Sequence, residues 1–297
     1  MLGLGKKKPV PEHEAEGEIE RVYHEIRQVL RVTGVNLNLR TWATFDKFLP
    51  PLWDALRPNL ETRAFETAAD RVRSDAVDAA TDLPRLDAVA SGMLGESQRF
   101  QIQRALDLYH YINPKLLVLT SAVRLALDGE TIGADVADAP EQIGRGQPAK
   151  MFPMEMVAEE PEEKELRDLF DDIKTTLALP SINSDYRTLG LWPDYLATAW
   201  QKLKPLVGQH EYKQATDALR ETSRSLAREL PLPFEFSREH VSELGEDADA
   251  VVEKTQKFEE LLPPLILNIA LLQLDWKAPE ALRESPFPAA ARTEVSR

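Results

Sequence analysis

Apolar residues recur at intervals of three and four early in the chain: Ile19, Val22, Tyr23, Ile26, Val29 and Leu30 mark one face of an amphipathic helix. The same spacing returns in Leu166, Leu169, Phe170, Ile173 and Leu177. Phe48, Leu52, Trp53 and Leu56 predict a second helix that stops at Pro58, and Tyr195, Ala199, Trp200 and Leu203 predict its counterpart, stopping at Pro205. A third helix is predicted over residues 65–80, ahead of Leu83 and Pro84. The most apolar segments, 115–127 and 264–274, follow Pro114 and Pro263. Proline is tolerated in a first helical turn but not deeper, so both segments are read as helices that begin there. They are apolar on nearly every face and are expected to be buried. No alternating run of β-branched residues offers a strand, and the predicted fold class is all-α.

The helical pattern repeats. Residues 17–84 align on 164–231 without a gap at an offset of 147, with about 16 identities over the 68 positions. They include Asn36/Asn183, Arg40/Arg187, Thr41/Thr188, Trp53/Trp200, Pro58/Pro205 and Pro84/Pro231. At an offset of 149 the match resumes, with Tyr109 facing Phe258 and Pro114 facing Pro263. The expected organisation is a first helical repeat over 1–127, a linker over 128–163, a second repeat over 164–276 and a tail over 277–297. Gly129, Gly133, Gly144, Pro140, Pro148 and Pro161 give the linker little helix of its own. The two closing helices are expected to pack the homologous repeats as an intramolecular pseudo-dimer.

Composition narrows the classes. The chain has 297 residues, no cysteine and a net charge of −14. Absence of cysteine removes disulfides, thiolate metal sites and a cysteine nucleophile, and it suits a cytoplasmic setting. The acidic balance argues against nucleic acid, whose phosphates need clustered Lys and Arg. Lys6, Lys7 and Lys8 are followed by no apolar run, so no signal peptide is predicted, and no segment is long enough to cross a membrane. The five histidines are scattered, which predicts no metal site, and no phosphate-binding or dinucleotide-binding fingerprint appears, so no cofactor is expected.

Candidate chemistry lies where the repeats differ. Asn38 of the first faces Asp185 of the second, Leu37 faces Ser184, and Asn113 faces Leu262. Polar groups survive in one combination, Asp185 with Asn113, as expected for a single site on a duplicated scaffold. From position alone, helix N-capping is the commoner use of an Asp placed as Asp185 is, and Asn113 before Pro114 fits turn or capping chemistry. An anionic ligand would need local positive potential in so acidic a chain, and helix N-termini or Arg40 and Arg187 are the candidates for it.

Several segments taken in order resemble the group I 2-haloacid dehalogenases, the type acting on both D and L enantiomers. They are Gly17-Glu18 through Val32, Ala43-Thr44-Phe45 with Leu49-Pro50, Tyr111-Ile112-Asn113-Pro114-Lys115, Ser184-Asp185 with Trp192-Pro193, and Ser285-Pro286-Phe287-Pro288. The resemblance implies an all-α chain of two related repeats, a homodimer, and cofactor-independent hydrolysis of 2-haloalkanoic acids. In it, Asp185 matches the aspartate that activates water for direct attack on the halogen-bearing carbon, with inversion and without an ester intermediate. Asn113 matches the asparagine that holds that water, and Ser184 a neighbouring pocket residue. Gly34 and Leu37 stand where the resemblance places a tryptophan and a phenylalanine of the pocket wall, and Thr255 near an expected tyrosine. With Asn38 they are the expected substrate-binding positions, and the loss of aromatics points to a reshaped pocket that suits a bulkier acid as well as the small haloacids. The competing reading is a non-catalytic or re-purposed helical protein that binds small acids on the same scaffold.

Overall fold

A computed structural model describes residues 8–89, 94–133, 139–153 and 155–292. Lys6 and Lys7 of the N-terminal basic run and the end of the tail beyond Arg292 lie outside the described residues. The described residues form eleven α-helices and no strand: α1 (Gly17–Leu30), α2 (Leu37–Trp42), α3 (Leu49–Leu60), α4 (Arg63–Thr81), α5 (Glu96–Leu127), α6 (Lys164–Thr176), α7 (Ser184–Leu189), α8 (Pro193–Val207), α9 (His210–Arg228), α10 (Arg238–Glu243) and α11 (Ala248–Gln273). The fold class is all-α, as the periodicity predicts. In α1 the predicted stripe buries Val22, Tyr23, Ile26, Val29 and Leu30, and the helix ends where Arg31 turns left-handed. In α4 the Thr62 hydroxyl accepts from the Phe65 N–H, which caps the start.

Helices α5 and α11 pack along each other at the centre of the molecule, and α4 and α9 lie against both. The short helices α2 and α7 begin 147 residues apart, as do α4 and α9. The short helix α10 intervenes between α9 and α11.

Proline placement corrects the sequence reading. Pro114 and Pro263 do not open the closing helices; each sits inside a long one, α5 or α11, that began more than a dozen residues earlier. Pro58 and Pro205 likewise fall inside the last turns of α3 and α8 rather than ending them. The physical reason is clearest in α5. Pro114 leaves the His110 carbonyl without its in-helix donor, and the buried Arg73 of α4 supplies one, Nε to His110 O at 2.9 Å, with Nη2 to Tyr111 O at 3.1 Å. A helix continues through proline when an outside donor takes the freed carbonyl.

The segment 128–163 has no helix among its described residues, yet it lies on the helical body. Ile132, Ile143 and Met151 are buried, and its backbone bonds to Glu61, Gln28 and Phe234 at 2.8 to 3.1 Å. Gly133 has φ +73°, and a Cβ there would lie 2.2 Å from the Leu232 carbonyl oxygen, so only glycine fits. The described tail is a strap rather than a loose end. Leu282 and Phe287 are buried, and the Arg31 guanidinium donates to the Phe287 and Pro288 carbonyls at 3.2 Å each. No described helix is long and apolar enough to cross a membrane.

Candidate active site

Helix α5 is the most buried element of the molecule, and a few polar residues interrupt its apolar surface. Tyr109, Asn113 and Thr120 are spaced by four and seven, which places them along one side of the helix. Helix α7 packs on that side, and its second residue is Asp185. The Asn113 amide Nδ2 donates to Asp185 Oδ1 at 2.7 Å, with both side chains buried. The structure therefore brings together the two residues singled out by the asymmetry between the halves. The capping positions are taken otherwise: Asn183 occupies the N-cap of α7, while Asp185 lies inside the first turn and still accepts from its own backbone N–H, and Asn113 lies within α5, ahead of a proline through which the helix continues.

Burial pushes the Asp185 carboxyl up to about 6, against the pull of hydrogen bonds from Asn113, from its own backbone N–H and from the Ser184 side chain. The Tyr109 hydroxyl, one turn before Asn113, donates to the Ser184 carbonyl at 3.0 Å and lies 2.7 Å from Thr188 Oγ1. It ties the start of α7 to α5 and so fixes the approach of the carboxylate. Burial, and then the nearby Asp185 charge, raise the Tyr109 hydroxyl above its ordinary range, so it remains a neutral donor.

Asn38 holds the place in α2 that Asp185 holds in α7. It is buried and donates from Nδ2 to Thr120 Oγ1 at 3.3 Å, on the same side of α5 and two turns beyond Asn113. Its Oδ1 has no hydrogen-bond partner. Leu37 is the first residue of α2 and is half-buried, as is Ser184 at the start of α7. The other two positions are engaged elsewhere. Thr255 of α11 accepts from the Trp42 indole at 3.1 Å and donates to the Val251 carbonyl. Gly34 lies against Glu12, whose Oε1 accepts from the Val35 N–H at 2.8 Å and would sit 3.1 Å from a Cβ at position 34. Arg40 and Arg187 act as clamps: their Nε atoms donate to the Val10 and Val157 carbonyls at 3.2 and 3.0 Å, holding extended segments to α2 and α7.

Sequence reasoning passed over Tyr109, Thr120 and a buried chain in which Tyr212 donates to Asn268 Oδ1 and Asn268 donates to the Tyr186 hydroxyl, at 2.7 and 2.9 Å. A signal was present. Polar residues at helical spacing inside an otherwise apolar helix must have partners, because an unpaired buried polar group costs about 1–3 kcal/mol.

An all-α body whose central helix presents an amide to a buried carboxylate on a neighbouring short helix defines the architecture. The family follows from comparison with known proteins. The model described as halocarboxylic acid dehydrogenase DehI matches residues 33–186, and the chain belongs to this family. The (R)-2-haloacid dehalogenase of Pseudomonas putida is 29% identical over 276 residues, 88% of this chain and 90% of the relative. A configuration-inverting 2-haloacid dehalogenase of Pseudomonas sp. (strain 113) is 31% identical over 227 residues, 74% of each chain. Among solved structures, a complex of D-2-haloacid dehalogenase with L-LA superposes with a TM-score of 0.82 at 28% identity, covering 90% of this chain and 95% of that one.

Proposed function

We propose that this chain is a hydrolytic 2-haloacid dehalogenase in which Asp185 takes a proton from a water held by Asn113. The water oxygen forms a bond to C2 as the carbon–halogen bond breaks from the opposite face. Halide leaves with the bonding pair, the water proton passes to the Asp185 carboxylate, and the product is the 2-hydroxy acid of inverted configuration. The observation that carries the reading is the buried Asn113–Asp185 contact of 2.7 Å, on a carboxylate raised to about 6. A carboxylate so raised is a stronger base than free aspartate and is still ionised at neutral pH. The amide orients the water on the carboxylate, which turns a bimolecular encounter into a positioned one.

The test is halide release from (R)- and (S)-2-chloropropionate. Chloride from neither, with folded protein, ends the proposal and leaves the acid-binding alternative. One turnover in heavy-oxygen water separates the direct route from an aspartyl ester: label in the first product supports direct attack, and label retained in the protein overturns it. Relatives named for the (R) enantiomer favour (R)-2-haloacids as the substrate. Activity on both enantiomers, which the sequence resemblance implies, is the second reading, favoured by relatives named for inversion without a stated enantiomer.

The order of helices supports reading 1–127 and 164–276 as two copies of one unit, joined by 128–163 and followed by 277–297, with α5 and α11 packed about a pseudo-twofold axis. We further propose a homodimer in solution, which light scattering tests.

A further inference from the structure

We infer that Arg73 is a positioning residue for Asn113: by holding the carbonyls of His110 and Tyr111, it fixes the turn of α5 from which the Asn113 amide reaches Asp185. The inference rests on the reading of Asp185 and Asn113 as base and water holder. Three observations support it.

Arg73 is fully buried, and a buried guanidinium is costly unless its donors are used. Nη1 pairs with Asp70 on its own helix, while Nε and Nη2 go to the His110 and Tyr111 carbonyls. Those carbonyls lie three and two residues before Asn113, and the first is the one Pro114 deprives of its donor. In addition, the surroundings are already fixed against other roles. His110 is held neutral, its ring lowered to about 3 by burial and then by the Arg73 charge, and Nε2 meets the Leu282 carbonyl at 2.7 Å. Lys115 is paired with Glu66 and donates to the Tyr111 hydroxyl. Tyr111 in turn donates to the Leu30 carbonyl.

The third observation is the contrast with the other half. The residues at the 147 offset are Arg220 and Asp217, so the Arg–Asp pair itself recurs. Yet Arg220 stays partly exposed, bonded to Asp217 at 2.9 Å and close to Glu221. The position corresponding to Asn113 is there Leu262. The arginine is drawn inward onto a helix backbone in the half that carries the amide.

The test compares wild type with Arg73→Lys, Asp70→Asn, Asn113→Ala and the control Arg220→Lys, measuring kcat and KM for 2-chloropropionate from pH 4.5 to 9 and the melting temperature. Asn113→Ala removes a bond that holds the Asp185 carboxyl down, so its acid limb moves to higher pH. Arg73→Lys should lower kcat about tenfold or more, leave KM within about twofold, and move the acid limb in the same direction; Asp70→Asn should do so more weakly. Arg220→Lys should match wild type. Arg73→Lys with a lower melting temperature but wild-type kcat and acid limb overturns the inference, because that is what a purely structural arginine predicts. Should Arg73→Lys not fold, Asp70→Asn decides, and wild-type values for it overturn the inference equally. Turnover by Asp185→Asn would instead remove the reading of the base on which the inference rests.

Discussion

A carboxylate buried beside an amide rather than a cation destabilises the folded chain whenever it is ionised, and Asp185 is such a group. Its folded value near 6 lies above the ordinary aspartate range, with burial the largest cause. The folded protein therefore binds this proton more tightly than the unfolded chain does. The stabilisation from protonation is complete below about pH 4 and is lost as pH rises through 6. Asp185→Asn should accordingly abolish turnover and raise the melting temperature at pH 8, by a stability increment on the order of 3 kcal/mol that shrinks toward zero at pH 4. Equal melting curves at pH 8 would show that the carboxylate is not desolvated. If Asp185 is the base, the same titration in the free protein should set the acid limb of kcat/KM, which should fall as pH drops through about 6; a limb near 4 would assign the base to a solvated carboxylate.

Helices were legible in the spacing of apolar residues, and α1, α4 and the burial of the central pair agree with that spacing. Prolines misled, because their meaning depends on whether a partner elsewhere can take the freed carbonyl. For α5 that partner is Arg73, 41 positions earlier, which local pattern cannot supply. That Asp185 and Asn113 meet was legible through the contrast between halves, whereas Tyr109 and Thr120 find their partners only when α7 and α2 come against α5. The sequence marks 277–297 only as a tail beyond the second repeat, and its few apolar residues are what seat it. Leu282 and Phe287 are buried, the Leu282 carbonyl meets His110, and Arg283 bonds Asp78 at 2.8 Å. Leu282→Ala should cost about 2–5 kcal/mol in chemical denaturation. Truncation after Trp276 should cost more, since it also strands Arg31 and the His110 ring. A denaturation midpoint unchanged by truncation would mean that the strap contributes nothing.

On the scale of the whole molecule, a net charge of −14 opposes the approach of any anionic acid. The two arginines placed to offset it by sequence, Arg40 and Arg187, turn their Nε atoms to backbone carbonyls, and the buried Arg73 is spent on α5 and Asp70. The Asp185 carboxyl, ionised above about pH 6, is a further buried negative charge. Arg40 and Arg187 keep their charge while so bonded, but it is already counted in the net −14, and long-range repulsion should outweigh local attraction. Raising ionic strength from about 10 mM to 150 mM shortens the Debye length from roughly 30 Å to about 8 Å, less than the dimensions of the molecule. Screening should then raise kcat/KM for 2-chloropropionate several-fold, while kcat, measured at saturation, stays level. The neutral amide of the same acid, measured as a competitive inhibitor, should show no such dependence. A fall in kcat/KM with added salt would reverse the sign and reveal a positive funnel at the entrance that outweighs the net charge.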